Sequence, residues 1–194
     1  MENKELRMYG LVPYNISPIQ QSIQFGHAVV EYGLKYFDTP EYQDWAHNWK
    51  TFIILNGGTS NHTQNRYAKT GNTLSEIDSF SHIGSMEQHL KELMSRGIKV
   101  GEFYEPDLND MLSAIVFIVD EQVFNRELYP DFKLNISPTD VDRYQFYKTN
   151  PLDIINFPVF FDEVDKFLFE DWVGSVGGKK NVFLRDFTKR FRLA

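Results

Sequence analysis

Leu112-Ser113-Ala114-Ile115-Val116-Phe117-Ile118-Val119 is the most apolar stretch of the chain and reads as a strand covered on both faces, hence central in a sheet. Lys99 to Tyr104 before it form another strand. Upstream of that, Arg96 and Gly97 close a helix that Ser85 caps and that runs through Ser95, with Leu90, Leu93 and Met94 turned inward. The run Thr51-Phe52-Ile53-Ile54-Leu55 is short, β-branched and apolar, and it stops at Asn56-Gly57-Gly58, as a buried strand ending in a turn does. Leu6 to Tyr14, with Met8, Leu11 and Val12, reads as the first strand. Ser17-Pro18-Ile19-Gln20 then opens a helix, with Ser at the N-cap, Pro in the first position and Gln in the third completing a capping box.

Along that first helix apolar residues recur at Ile19, Ile23, Val30, Leu34 and Phe37, with Gly26 on the same stripe. The spacing predicts a core-directed face. Gly26 would let the helix lie close to a sheet, at a helix-propensity cost of about 1 kcal/mol. A second helix is expected from about Pro40 to Asn48. The order strand, helix, helix, strand, helix, strand, strand predicts an α/β fold with a mixed four-stranded sheet flanked by helices. It is complete by Asp120, so residues 1–120 are expected as one domain. Thr59 to Gly84 is polar and reads as a long excursion with some local structure.

Residues 121–194 differ in character. They are acidic and aromatic-rich, broken by Pro130, Pro138, Pro151 and Pro158. An α-helical C-terminal extension is expected, with helices at Asp140–Thr149 and Phe161–Val173 and a hinge at Gly174, Gly177 and Gly178. The last helix, Val182 to Phe191, is amphipathic, with Phe183, Leu184, Phe187 and Phe191 on one side and Arg185, Lys189 and Arg192 on another.

The chain has 194 residues, 42% of them hydrophobic, which is ample for a core, and no cysteine, which excludes disulfides and thiolate metal sites. The start, Met-Glu-Asn-Lys-Glu, lacks the order of a secretory signal. No apolar run approaches the roughly 18 residues of a membrane span. A soluble, cytoplasmic protein without membrane partners is expected. His27, His47, His62, His82 and His89 show no close ligand spacing, so neither metal nor cofactor is expected. Net charge is −7, yet from Lys179 to Ala194 six cations face one anion, Asp186. Such a tail is either an anion-binding element or a clamp on the protein's own acidic surface.

Three constellations could carry chemistry. Gln20, Gln24, His27, Glu31 and Lys35 make a polar stripe beginning at the positive end of the first helix; it is either a solvated face or an anion site. Gln20 also has its place in the capping box. Glu105-Pro106-Asp107-Leu108-Asn109-Asp110 puts three carboxylates in a connection between strands, where one could act as general base or form part of an ordinary acidic turn. Asn56-Gly57-Gly58-Thr59 offers backbone N–H groups and a hydroxyl suited to a phosphate or sugar, or simply a structural turn. Tyr9, Tyr14 and Tyr104 are candidates to stack bases or to join the core.

Taken together, these segments show a resemblance. Gln24-Phe25-Gly26-His27-Ala28 looks like the Gln-x-x-His-Ala of peptidyl-tRNA hydrolases of the archaeal and eukaryotic type. Glu105-Pro106-Asp107-Leu108-Asn109-Asp110 with Ser113-Ala114-Ile115-Val116 resembles that family's acidic loop and following strand. The wording of that loop, with Gly177 to Asn181, looks more like tailed-phage members of the superfamily, which would place the protein in host cytoplasm. The resemblance covers about Leu6 to Val119. It implies hydrolysis of the ester linking a peptide to tRNA, without metal. Carried over, the family's loop acid becomes Glu105 and its hydroxyl position Asn109. The family's helix lysine becomes Gln20, which removes a cation; His27 supports the site.

Two functions are expected from this. The first is an ester hydrolase on peptidyl- or aminoacyl-tRNA using Glu105, Asn109, Gln20 and His27, with Lys179, Lys180, Arg185, Lys189 and Arg192 on the RNA. The alternative is a non-catalytic nucleotide binder, holding a host cyclic oligonucleotide defence signal through Gln24, Asn56, Gly57, Gly58, Thr59 and Asp107. A homodimer with a shared pocket would suit the binder.

Overall fold

Every strand of the main sheet ends or begins near one of the candidate site segments, and the element order explains why. The computed structural model describes residues 4–60, 62–70, 73–82, 84–133 and 163–194. In chain order these form β1 (Leu6–Pro13), α1 (Pro18–Tyr36) and α2 (Pro40–Asp44), which runs into a π-helical turn (Trp45–Trp49). Then come β2 (Thr51–Gly58), β3 (His62–Thr70), β4 (Thr73–His82), α3 (Ser85–Ser95), β5 (Gly101–Glu105) and β6 (Met111–Asp120). The chain closes with α4 (Glu121–Phe124), α5 (Glu163–Ser175) and α6 (Lys179–Thr188). The helix expected at Asp140–Thr149 lies outside the described residues.

The expected α/β fold is present. A four-stranded sheet has the order β2-β1-β6-β5, with β1 and β2 parallel and β6 antiparallel to both its neighbours. Leu112 through Val119 are all buried, because helices cover both sheet faces. Ala114, Val116 and Ile118 meet Phe25, Ala28 and Tyr32 of α1 and Trp45 on one face. Ile115, Phe117 and Val119 meet Leu90 and Leu93 of α3 and Leu184 and Phe187 of α6 on the other. The last helix thus completes the core begun by the first 120 residues. Its N-terminal boundary is Lys179 rather than Val182, directly after Gly177 and Gly178, whose positive φ of 88° and 95° turns the chain into it.

The polar excursion contains a regular element. β3 and β4 pair antiparallel from His62 with His82 to Thr70 with Thr73, forming a two-stranded ribbon of their own. The free edge of β2 is met by the chain's final residues: Asn56 N–H donates to the Arg192 carbonyl (2.9 Å) and Ala194 N–H to the Ile54 carbonyl (3.0 Å).

One expectation is reversed. The α1 stripe Ile19, Ile23, Val30, Leu34 and Phe37 does not face the core; these residues are between 51% and 75% exposed. The sheet instead takes the opposite side of the helix, Gln24, Phe25, Ala28, Tyr32 and Gly33. Nor does Gly26 provide the close approach, since nothing lies within 4 Å of a side chain placed there. The strand glycines provide it. A Cβ on Gly101 would sit 2.5 Å from the Ala28 carbonyl oxygen and 2.7 Å from the Tyr32 nitrogen, and one on Gly10 would enter the Phe25 ring. Met94, also expected inward, is exposed, and Met86 takes its place beside Leu90 and Leu93. The α3 N-cap is Gly84; Ser85, expected there, turns its hydroxyl to Gly57 and Thr59 instead.

Among the described residues no helix is long and apolar enough to cross a membrane. Two substitutions test the packing. Phe187→Ala, at a wholly buried position, should cost about 3–5 kcal/mol in urea unfolding. Gly101→Ala should cost about 1–3 kcal/mol by forcing α1 off the sheet.

Candidate functional site

Parallel strands β1 and β2 point their carboxyl ends the same way, and β5 ends and β6 begins at that same side. The N-terminus of α1, the Asn56–Thr59 turn and the Glu105–Asp110 loop therefore gather at one end of the sheet. In open α/β sheets that end is where ligands bind.

The centre of the arrangement is Gln24, which is 5% exposed. Its Nε2 donates to Glu105 Oε2 at 2.5 Å. Its Oε1 lies 3.0 Å from the Ser113 hydroxyl, which is also 3.1 Å from the Phe103 carbonyl, so the one serine proton serves two acceptors. A hydroxyl donating into Oε1 fixes which way the amide is turned, and so presents N–H to the carboxylate. Ser113 reaches this place through a β-bulge. The β5–β6 register steps from Phe103 opposite Ala114 to Tyr104 opposite Leu112, leaving Ser113 as the extra residue. The bulge re-aims its side chain toward α1. Nothing in the sequence marks that step.

Glu105 caps the short 3₁₀ turn Pro106–Leu108, its Oε1 accepting weakly from the Asp107 amide at 3.4 Å. Asn109 and Asp110 follow with φ of 56° and 52°, two left-handed residues in succession that turn the chain back into β6; both side chains are exposed, as is Asp107. His27 lies one turn beyond Gln24 and stacks on Phe103, ring centroids 4.5 Å apart and planes 22° apart. Among the described residues no hydrogen bond or ion pair from a lysine or arginine reaches Glu105. Gln20, where the resemblance expects a cation, accepts from the Ser17 amide (3.2 Å) while the Ser17 hydroxyl accepts from its own N–H (3.3 Å). Its carbonyl oxygen is taken up by the helix cap.

The Asn56–Thr59 turn is tied up internally. The Gly58 amide donates to Asn56 Oδ1 (2.9 Å) and the Thr59 amide to Ser85 Oγ (2.8 Å). The Ser85 hydroxyl in turn donates to the Gly57 carbonyl at 2.9 Å. Two of the N–H groups expected to cradle a ligand therefore brace α3 and β2. Beside this end, Glu87 in the first turn of α3 has one carboxylate oxygen buried without a partner. Burial pushes its pKa up against the weaker pull of Lys91. Burial, then the charges of Glu87 and Glu102, likewise push up the Tyr104 hydroxyl.

The basic C-terminal residues largely hold the protein to itself. Arg185, expected among the RNA-contacting cations, is instead 2% exposed and donates to the Gln122 and Tyr129 carbonyls and to Asp131. Lys180 donates to the Gly97 carbonyl (2.9 Å), Lys189 to Asp131 (2.7 Å) and Arg190 to Glu92 (2.9 Å). Lys179 and Arg192 are exposed. Among the described residues no group of three or more His, Asp or Glu is placed to hold a metal ion.

No family model matches the chain, and neither a curated protein nor a solved structure does. The chemistry has to be read from the side chains.

The cluster around Asp131 yields a pH prediction. Partial burial opposes its ionisation, but hydrogen bonds from Lys189 and Arg185 and the charge of Arg126 outweigh that and lower its pKa to about 2. A carboxyl depressed in the folded state stabilises above the unfolded value of about 4 and loses that contribution as pH falls toward the folded one. Urea midpoints should therefore fall between about pH 4 and pH 2 in the wild type, and fall less steeply in Asp131→Asn.

Proposed function

We propose that the protein hydrolyses the ester of peptidyl- or aminoacyl-tRNA, with Glu105 as general base. The observation that carries this reading is the Ser113–Gln24–Glu105 chain of hydrogen bonds, which holds one carboxylate at the ligand end of the sheet. Two of its roughly four lone-pair sites are engaged, leaving others for a water. Glu105 takes a proton from that water as its oxygen attacks the ester carbonyl. The bond from carbonyl carbon to ribose oxygen then breaks, and the proton passes to the ribose hydroxyl. The products are a free carboxylate and deacylated tRNA.

Charge develops on the carbonyl oxygen in the transition state, and neutral amides would have to meet it. Asn109, on its left-handed turn, and Gln20, one helical turn before Gln24, are the side chains assigned to that task. Removing a transition-state contact costs about a hundredfold or more in rate, so amides in place of the family's cation imply slow turnover. His27, stacked on Phe103, shapes the wall of the site.

A second reading has its own support. The absence of any hydrogen bond or ion pair from Lys or Arg to Glu105 among the described residues, with the Gln20 carbonyl in the cap, suits a site that binds without cleaving. Its ligand would be a nucleotide, such as a cyclic oligonucleotide.

Release of an N-blocked amino acid from charged tRNA separates the two. The hydrolase reading expects turnover by the wild type, a loss of about 10²–10⁴-fold in Glu105→Gln, and faster turnover in Gln20→Lys. Inertness of both wild type and Gln20→Lys, with a rise in Tm from a cyclic oligonucleotide, would move the assignment to the binder. A nucleotide panel that leaves Tm unchanged removes the binder in turn.

A further inference from the structure

Helix α1 carries two apolar faces. One is packed on the sheet. The other, Ile19, Ile23, Gly26, Val30, Leu34 and Phe37, faces away from it, and every one of these residues is exposed. At about 100° per residue they fall within an arc of roughly 80°, with no charged residue among them. A helix apolar on both sides belongs in an interior.

We infer that this outward face is the seat of a second copy of the same chain, packed antiparallel about a twofold axis that crosses α1 between Gly26 and His27. The face is self-complementary. In a twofold antiparallel pair, residue i of one copy meets residue j of the other with i + j constant, and j meets i in return. With the axis at that point Ile23 meets Val30 and Ile19 meets Leu34, while Phe37 falls past the N-terminal end of the partner helix. Each aliphatic residue of the stripe thus finds an aliphatic partner. Gly26, with nothing within 4 Å of a side chain built there, lies where the two helices come closest. Glycine at that point is what a close crossing needs, and it explains a residue that the sheet does not use.

Charge favours the same occupant. The chain carries −7, so most surfaces would repel their own copy. This stripe is neutral, and in this register Glu31 stands opposite Ser22 rather than another acid. The two helix dipoles run antiparallel, which is the favourable sense. A face about 28 Å long and about 10 Å wide supplies the apolar centre of an interface, which needs about 800 Å² on each partner once its polar rim is added. The pairing would set the two His27 residues beside the axis, but it stands whether or not the protein is a hydrolase.

The chain has no cysteine, so one introduced thiol reports alone. Sedimentation velocity of the full chain over a micromolar series should show a dimer of the 22.8 kDa protomer. Val30→Glu, at an exposed position that leaves the fold intact by circular dichroism, should raise the dissociation constant at least about a hundredfold, because it buries a charge. Gly26→Cys should oxidise to a covalent dimer, while Phe37→Cys, far from the axis, should not. A wild type that stays monomeric up to hundreds of micromolar overturns the inference and leaves the face to a different protein. So does a dimer that is indifferent to Val30→Glu, or equal cross-linking through positions 26 and 37.

Discussion

A side chain at position 101 would collide with the backbone of α1, and that absence of room governs how the helix, the sheet and the candidate site are arranged. Because Gly101 and Gly10 offer bare backbone, α1 descends onto β1, β5 and β6 with Ala28 and Tyr32 against the strands and the Phe25 ring over Gly10. That contact sets the rotation of the helix about its own axis. Once the rotation is set, Gln24 is buried and faces Glu105, His27 lies over Phe103, and Ile19, Ile23, Val30 and Leu34 point to solvent. Placing Gln24 beneath the sheet's end is tolerated because both ends of its amide have a partner, Ser113 at the oxygen and Glu105 at the nitrogen.

Much of the architecture could be read in the residues. The apolar run Leu112–Val119, the β-branched run at Thr51–Leu55 and the Ser17–Gln20 capping box each marked its element, and Gly97, at φ of 65°, closes α3 as expected. The rotation of α1 was not legible, because periodicity finds an apolar stripe without saying what covers it. The second stripe, built from Phe25, Ala28, Tyr32 and Gln24, mixes aromatic, small and amide residues, and it looks less like a core face than the aliphatic one. The β3–β4 ribbon escaped for a related reason, since its Thr, Asn and Ser residues lack an alternating apolar face.

The candidate site was legible in part. Glu105 and the helix residues Gln24 and His27 were found in the chain and are gathered by the fold. Ser113 was hidden because its role depends on a bulge, a register step that two strands make together. The Gly57–Gly58 turn looked like a cradle because small residues expose amides. Whether those amides are free depends on Ser85, a residue more than two dozen positions away. The cationic tail held two readings, and the buried guanidinium of Arg185, with the pairs made by Lys189 and Arg190, gives much of its charge a place within the fold.

The position of α6 also bears on how the protein comes to be folded. Leu184 and Phe187 are packed under Tyr9, Ile115 and Phe117, residues synthesised long before them. At about 5–20 residues per second, the interval between Phe117 and Phe187 leaves one sheet face lacking its last cover for several seconds. Contacts so distant along the chain form slowly. During that interval the nascent protein would present an unfinished apolar surface to whatever chaperones attend the ribosome.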